Sequence, residues 1–144
     1  MMWVSVQLLA DQFNPLISSP WDEITNGINK KEIQTAIMRG QLEQLPPYNS
    51  MAPPETRQQH INRIAWYVVN GWGDSCITID LTMPFICWPV TDGNHRLAAA
   101  IYRGDDMIWA DVYGSQAQIK EILYEDQEEK EAAQPIGTPD VVEP

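Results

Sequence analysis

Apolar residues along this chain recur in two rhythms. In some stretches they alternate with polar ones, and in others they return every third or fourth position. Val4, Val6 and Leu8 alternate with Ser5 and Gln7, which predicts a first strand. Asn14-Pro15 and Ser18-Ser19-Pro20 break it into a loop. Asn29-Lys30-Lys31-Glu32 has the form of a capping box, and Ile33, Ala36 and Ile37 continue at helical spacing to a stop at Gly40. Residues 41–55, with Pro46-Pro47 and Pro53-Pro54, read as a long loop. Thr56 and Gln59 form a second capping box, followed by an Ile61, Ile64, Ala65, Val68 stripe that ends near Gly71.

The second half continues the alternation of types. Residues 77–81 are a clean strand pattern. Residues 85–91 predict another strand, which Pro89 marks as short or at a sheet edge. Leu97, Ala100 and Ile101 predict a helix over 94–103 with Gly104 as its stop. Residues 107–113 alternate as a strand. Ser115 and Gln118 open a last helix with Ile119, Ile122 and Leu123 on one face. The order is strand, helices, strand pair, helix, strand, helix, which predicts a small α+β domain with helices packed around a mixed β-sheet. No internal repeat is present.

Composition sharpens this picture. At 144 residues the chain is of single-domain size, and 44% hydrophobic residues with six Trp mark it as globular. Residues 1–124 are expected to form the domain. Residues 125–144 carry seven acids against one base, −6 of the total net charge of −11, and read as an acidic, disordered tail. The body's bases never run beyond two in a row, so the charge argues against direct DNA binding. No apolar run reaches membrane-spanning length, and the N-terminus lacks the form of a signal peptide. Two cysteines make no disulfide framework, so a cytoplasmic protein with no membrane association is expected. Cys76 and Cys87 lack neighbouring ligands, so no metal site is expected from them. No Walker A, dinucleotide-binding or zinc-protease motif occurs.

The chemistry concentrates at the start of the 94–103 helix, in Asp92-Gly93-Asn94-His95-Arg96. Backbone N–H groups lack partners on a first helical turn, and the helix dipole favours an anion there. Gly93 would let a ligand approach the backbone, and Arg96 can fork onto phosphate oxygens. Asp92 has two readings, a plain N-cap or a carboxylate for a phosphate-bound magnesium ion. His95 is either a structural imidazole or a group that hydrogen-bonds phosphate or shuttles a proton. His60 falls on the polar side of its helix and is expected to be solvated. Trp66, Trp72 and Trp88 are read first as core and second as stacking surfaces for a base.

The run Asp92-Gly93-Asn94-His95-Arg96-Leu97-Ala98-Ala99-Ala100 resembles the Asp-Gly-x-His-Arg-x-x-Ala-Ala signature of the ParB/sulfiredoxin-like superfamily. The resemblance spans about residues 3–113 and is firmest from 76 to 113. It implies a ParB/sulfiredoxin-like fold in which Gly93, Asn94, His95 and Arg96 hold the phosphates of a nucleotide, CTP or ATP, with Mg2+ as a companion. Hydrolase or phosphotransferase activity would follow, with His95, Asp92 and Glu23 as catalytic candidates. Glu23 and Asp22 are named because a phosphotransferase needs a carboxylate base near its acceptor. Asn94 stands where sulfiredoxins carry their reactive cysteine, so reductase chemistry is not expected. No helix-turn-helix domain follows, as it does in partition proteins, so a standalone module is the nearer analogy. The alternative is a non-enzymatic phage or plasmid accessory protein that binds a host protein through an acidic surface.

Overall fold

The computed structural model describes residues 1–18, 20–21, 27–44, 56–82 and 88–124. The expected tail, most of the 41–55 loop, residues 85–87 of the expected third strand, and Asp22, Glu23 and Cys87 lie outside the described residues. What is described is a mixed α+β arrangement with a four-stranded sheet.

The chain opens with β1 (Met2–Ser5) and turns at once into α1 (Val6–Phe13). The expected strand therefore stops at Ser5 rather than running through Leu8. Ser5 Oγ accepts a hydrogen bond from the Leu8 N–H at 3.1 Å and caps the helix. Val6, Leu9 and Phe13 also stand at helical spacing, so the apolar pattern fits both structures, and the cap decides between them.

The other expected elements lie close to where their patterns put them, except the strand expected over 85–91: residues 88–89 are not strand, and the strand runs only from Val90 to Asp92. Both parts of the capping box are present at α2 (Lys30–Met38), α3 (Arg57–Asn70) and α5 (Gln116–Ile119). A single π-helical turn, Lys120–Tyr124, continues α5. β2 is Ile77–Asp80, β3 is the short Val90–Asp92, α4 is Asn94–Arg103, and β4 is Met107–Tyr113. Gly104 ends α4 in the left-handed conformation, its N–H returning to Ala100 and Ile101.

The strand order is β1-β4-β2-β3. β4 runs antiparallel to β1, with Val4 opposite Ile108, and parallel to β2, with Ile77 opposite Ala110. β3 is an antiparallel edge strand with a register shift beside Thr78 and Ile79, as the proline before it suggests. β3 and α4 lie between the parallel strands β2 and β4 along the chain.

α4 is the centre of the molecule. Leu97 to Ala100 are all fully buried, although the spacing marks only one face. Leu97 and Ala100 join Val4, Leu9, Ile79 and Ile108 against the sheet. Ala98 and Ala99 join Ile33, Ile61 and Ile64 on the side of α2 and α3. The three alanines keep this helix thin enough to be packed from two sides. Its first turn is thereby held between the sheet edge and α3.

Gly93, between β3 and α4, has φ +91°. A Cβ there would lie 2.6 Å from Ile77 Cγ2 and 3.1 Å from Ile77 Cα. Gly93→Ala is expected to destabilise the fold by about 2–4 kcal/mol, from backbone strain plus overlap. Gly104→Ala has φ +76° but open space around it, so it should lose only about 1–2 kcal/mol. Urea unfolding of both variants checks this, and equal losses would show that the Ile77 contact carries no weight.

Candidate functional site

The turn from β3 into α4 has the form the sequence suggests, but its side chains are used differently. Gly93, not Asp92, is the N-cap of α4, and no side chain caps the helix. With Gly93 in the left-handed region, Asp92 sits one residue too early to reach its own helix amides. Its carboxylate instead accepts from Arg96 Nη2 at 3.1 Å, a turn further on. Gly93 packs against Ile77, so its missing side chain makes room for β2 and not for a ligand.

Arg96 is mostly covered, with its side chain 15% exposed. Nη1 donates to the Cys76 carbonyl at 2.7 Å, just before β2, while Nη2 takes Asp92. The fork expected on phosphate is thus engaged by oxygens of the protein itself. Asn94 is also turned inward. Its Oδ1 accepts from Trp88 Nε1 at 2.8 Å and its Nδ2 donates to the Val90 carbonyl at 3.0 Å. No side chain caps α4, so the N–H groups of its first residues lack helical partners.

His95 has the most unusual surroundings. Its Nε2 lies 2.8 Å from Nδ1 of His60 on α3. The two imidazoles are nearly coplanar, 9° apart, with centroids at 5.1 Å. Trp21 lies across both, its ring centroid 4.6 Å from His60 and 4.5 Å from His95, at 24° and 22°. A bond of this kind needs one ring to donate and the other to accept, so the pair cannot be doubly protonated with this geometry. Burial lowers the His95 pKa, and Arg63, His60 and Arg96 push it the same way, to about 2. His95 is therefore a neutral imidazole at physiological pH. It is a poor proton shuttle in this state and a good hydrogen-bonding wall.

His60 corrects the expectation of a solvated surface residue, being 5% exposed. The reason is that α3 is covered on a broader front than its apolar stripe marks, with His60, Asn62 and Arg63 buried beside Ile61, Ile64 and Ala65. His60 stands one turn before Ile64, at the margin of the stripe, and that position was the only local sign. Arg63, one turn after His60 and 3% exposed, brings a second guanidinium to the same region. Trp21, His60 and Arg63 are the members of this cluster that spacing alone did not select, because α3 and α4 meet only in the folded chain.

The tryptophans read as core largely behave so. Trp88 packs against the sheet-side core and bonds Asn94, and Trp72 touches both halves of the core. Among the described residues no group of three or more His, Cys, Asp or Glu could hold a metal ion. No helix among them is long and apolar enough to cross a membrane. Comparison with protein-family models, with curated proteins and with solved structures finds no match to this chain.

Proposed function

We propose that the start of α4 binds the phosphate groups of a nucleotide, CTP or ATP, in a domain of ParB/sulfiredoxin-like type. The observation that carries this reading is an uncapped helix start whose His95 lies in the field of two guanidinium groups, Arg63 and Arg96. The helix end and the two guanidinium groups favour an anion there, and the Asp92 carboxylate paired with Arg96 opposes one until a magnesium ion intervenes. Backbone N–H groups of Asn94, His95 and Arg96 are the contacts, His95 the neutral hydrogen-bonding wall, and Arg63 with Arg96 the charge. The order β3, Gly93, α4, β4 agrees with the element order that the signature implies.

Arg96 acts in this site mainly by field, since its fork is tied to Cys76 and Asp92. Asp92 is well exposed, with its side chain at 69%. Its carboxylate can therefore meet a magnesium ion carried by the phosphates, which would neutralise charge on the transferred or hydrolysed group. A hydrolase or phosphotransferase role, with His95, Asp92 and Glu23 as its candidates, extends the binding reading. Glu23 lies outside the described residues.

Calorimetric titration with ATP, CTP, GTP and ADP tests the proposal. At about 100 times Kd, a bound nucleotide should add about 2.7 kcal/mol of stability. Asp92→Asn separates the roles of the carboxylate. Without magnesium, removing a negative charge beside the phosphates should tighten binding by about threefold to tenfold. With magnesium, loss of a metal contact should weaken it. An unchanged affinity in both conditions would remove Asp92 from the site, and no heat up to millimolar nucleotide would sink the reading.

A further inference from the structure

Away from α4's first turn, a cavity of about 640 Å³ lies between the outer side of β1 and β4 and the loop that follows α3. Trp3, Trp72, Asp74, Arg103, Asp105 and Trp109 line it. Its volume is in the range of ligand sites. Trp3 and Trp109 face each other across the β1–β4 ladder, with ring centroids 4.9 Å apart and planes tilted by 57°. Trp3 is 58% exposed and Met107 beside it 43%. An indole so open to water keeps much of its apolar face unpacked and is the kind of surface that a partner covers.

The cavity already contains one filled example of its own chemistry. The Arg103 guanidinium lies 4.9 Å over the Trp72 ring, and its Nη2 is 3.3 Å from Asp105 Oδ2. One cation is thus held between an indole face and a carboxylate. Trp3, Trp109 and the exposed Asp74 offer the same two elements next to it. Among the described residues no cation stands over either of those indoles. Arg103 does not oppose a second cation strongly, because Asp105 already offsets its charge.

We propose that this cavity receives an arginine side chain from a basic segment of a partner protein. The guanidinium stacks on the Trp3–Trp109 pair and pairs with Asp74. Arginine fits better than lysine because its planar, weakly hydrated head stacks on indole faces. The net charge of −11 steers a basic segment toward this chain and repels a second copy of it. This inference is independent of phosphate binding at α4.

The test uses the full chain and the peptide acetyl-Gly-Arg-Gly-Arg-Gly-amide, followed by the indole N–H signals of Trp3, Trp72 and Trp109. Saturable shifts confined to these signals are expected. Replacing both arginines with citrulline, which keeps the shape and removes the charge, should weaken binding by about tenfold. Trp3→Ala should weaken it by about fivefold or more. Asp74→Asn, on an exposed loop, should weaken it by about threefold and flatten its salt dependence, and this variant carries the test if Trp3→Ala unfolds. Three results would overturn the proposal: no shift up to about 5 mM peptide, equal binding of the citrulline peptide, or concentration-dependent self-association that Trp3→Ala abolishes. The last would assign the face to a second copy.

Discussion

Lowering the pH from 7 to 4.5 should destabilise this protein by about 2–3 kcal/mol through His95 alone. The folded chain holds the His95 pKa far below its usual value of 6.5, by burial first and by Arg63, His60 and Arg96 after it. The unfolded chain takes up the proton near 6.5 and the folded chain does not. Stability from this group is therefore complete above pH 6.5 and falls by about 1.4 kcal/mol for each unit below it. The carboxylates that the fold perturbs act in a different window. Glu32 is raised by burial, but hydrogen bonds from Arg57 and from the Asn29 N–H outweigh this and lower its pKa from 4.5. Asp80 is lowered from 3.8 by the Thr82 hydroxyl and N–H. Both lose their contribution below the range from 7 to 4.5. Urea unfolding at several pH values, on the wild type and on His95→Gln, isolates the imidazole. The variant's curve should be flatter by the amount above. Parallel curves would mean that His95 is freely protonated in the folded protein.

Arg96→Ala should remove about 2–3 kcal/mol of stability, the size of a lost charge-assisted hydrogen bond to a part-buried carbonyl. The Cys76 carbonyl would lose its 2.7 Å donor at the point where β2 begins. Arg96→Lys should recover less than half of that, because one ammonium cannot reach Cys76 and Asp92 together. Asp92→Ala should lose no more than about 0.5 kcal/mol, since its carboxylate is exposed. This contrast, read by chemical unfolding, separates the two partners of the guanidinium. If Asp92→Ala matches Arg96→Ala, the surface pair holds the turn and the carbonyl bond does not. The stability result also decides how ligand binding in Arg96 variants is interpreted, because a folded fraction below one lowers apparent affinity by itself.

The elements that were legible in the sequence are those specified by neighbours. A capping box needs a Ser, Thr or Asn and a Glu or Gln three residues on, and all three such boxes formed. The span of α4 was readable because Gly93 and Gly104 bracket a regular apolar stripe. α1 was missed because Val4, Val6 and Leu8 satisfy a strand rhythm that only the Ser5 cap interrupts. The site was legible in its place and not in its wiring. Arg96 finds Cys76 across 20 residues, and His95 finds His60 across 35. Such pairings depend on how β2 and α3 pack against α4, which no local spacing encodes. The alanines at 98–100 hinted at a helix packed on two sides, yet alanine is also the commonest choice on any helix.

The proposed anion site at α4 is tested most directly by following individual nuclei while phosphate is added. Isotope-labelled protein is titrated with inorganic phosphate, ATP and CTP, and the backbone amides of Asn94, His95 and Arg96 are read together with the His95 ring nitrogens. Binding at the helix start should shift those amides saturably and raise the His95 pKa, because an anion offsets the field of Arg63 and Arg96. Amides and imidazole that stay unmoved up to about 10 mM ligand, or shifts confined to other parts of the chain, would contradict phosphate binding at α4.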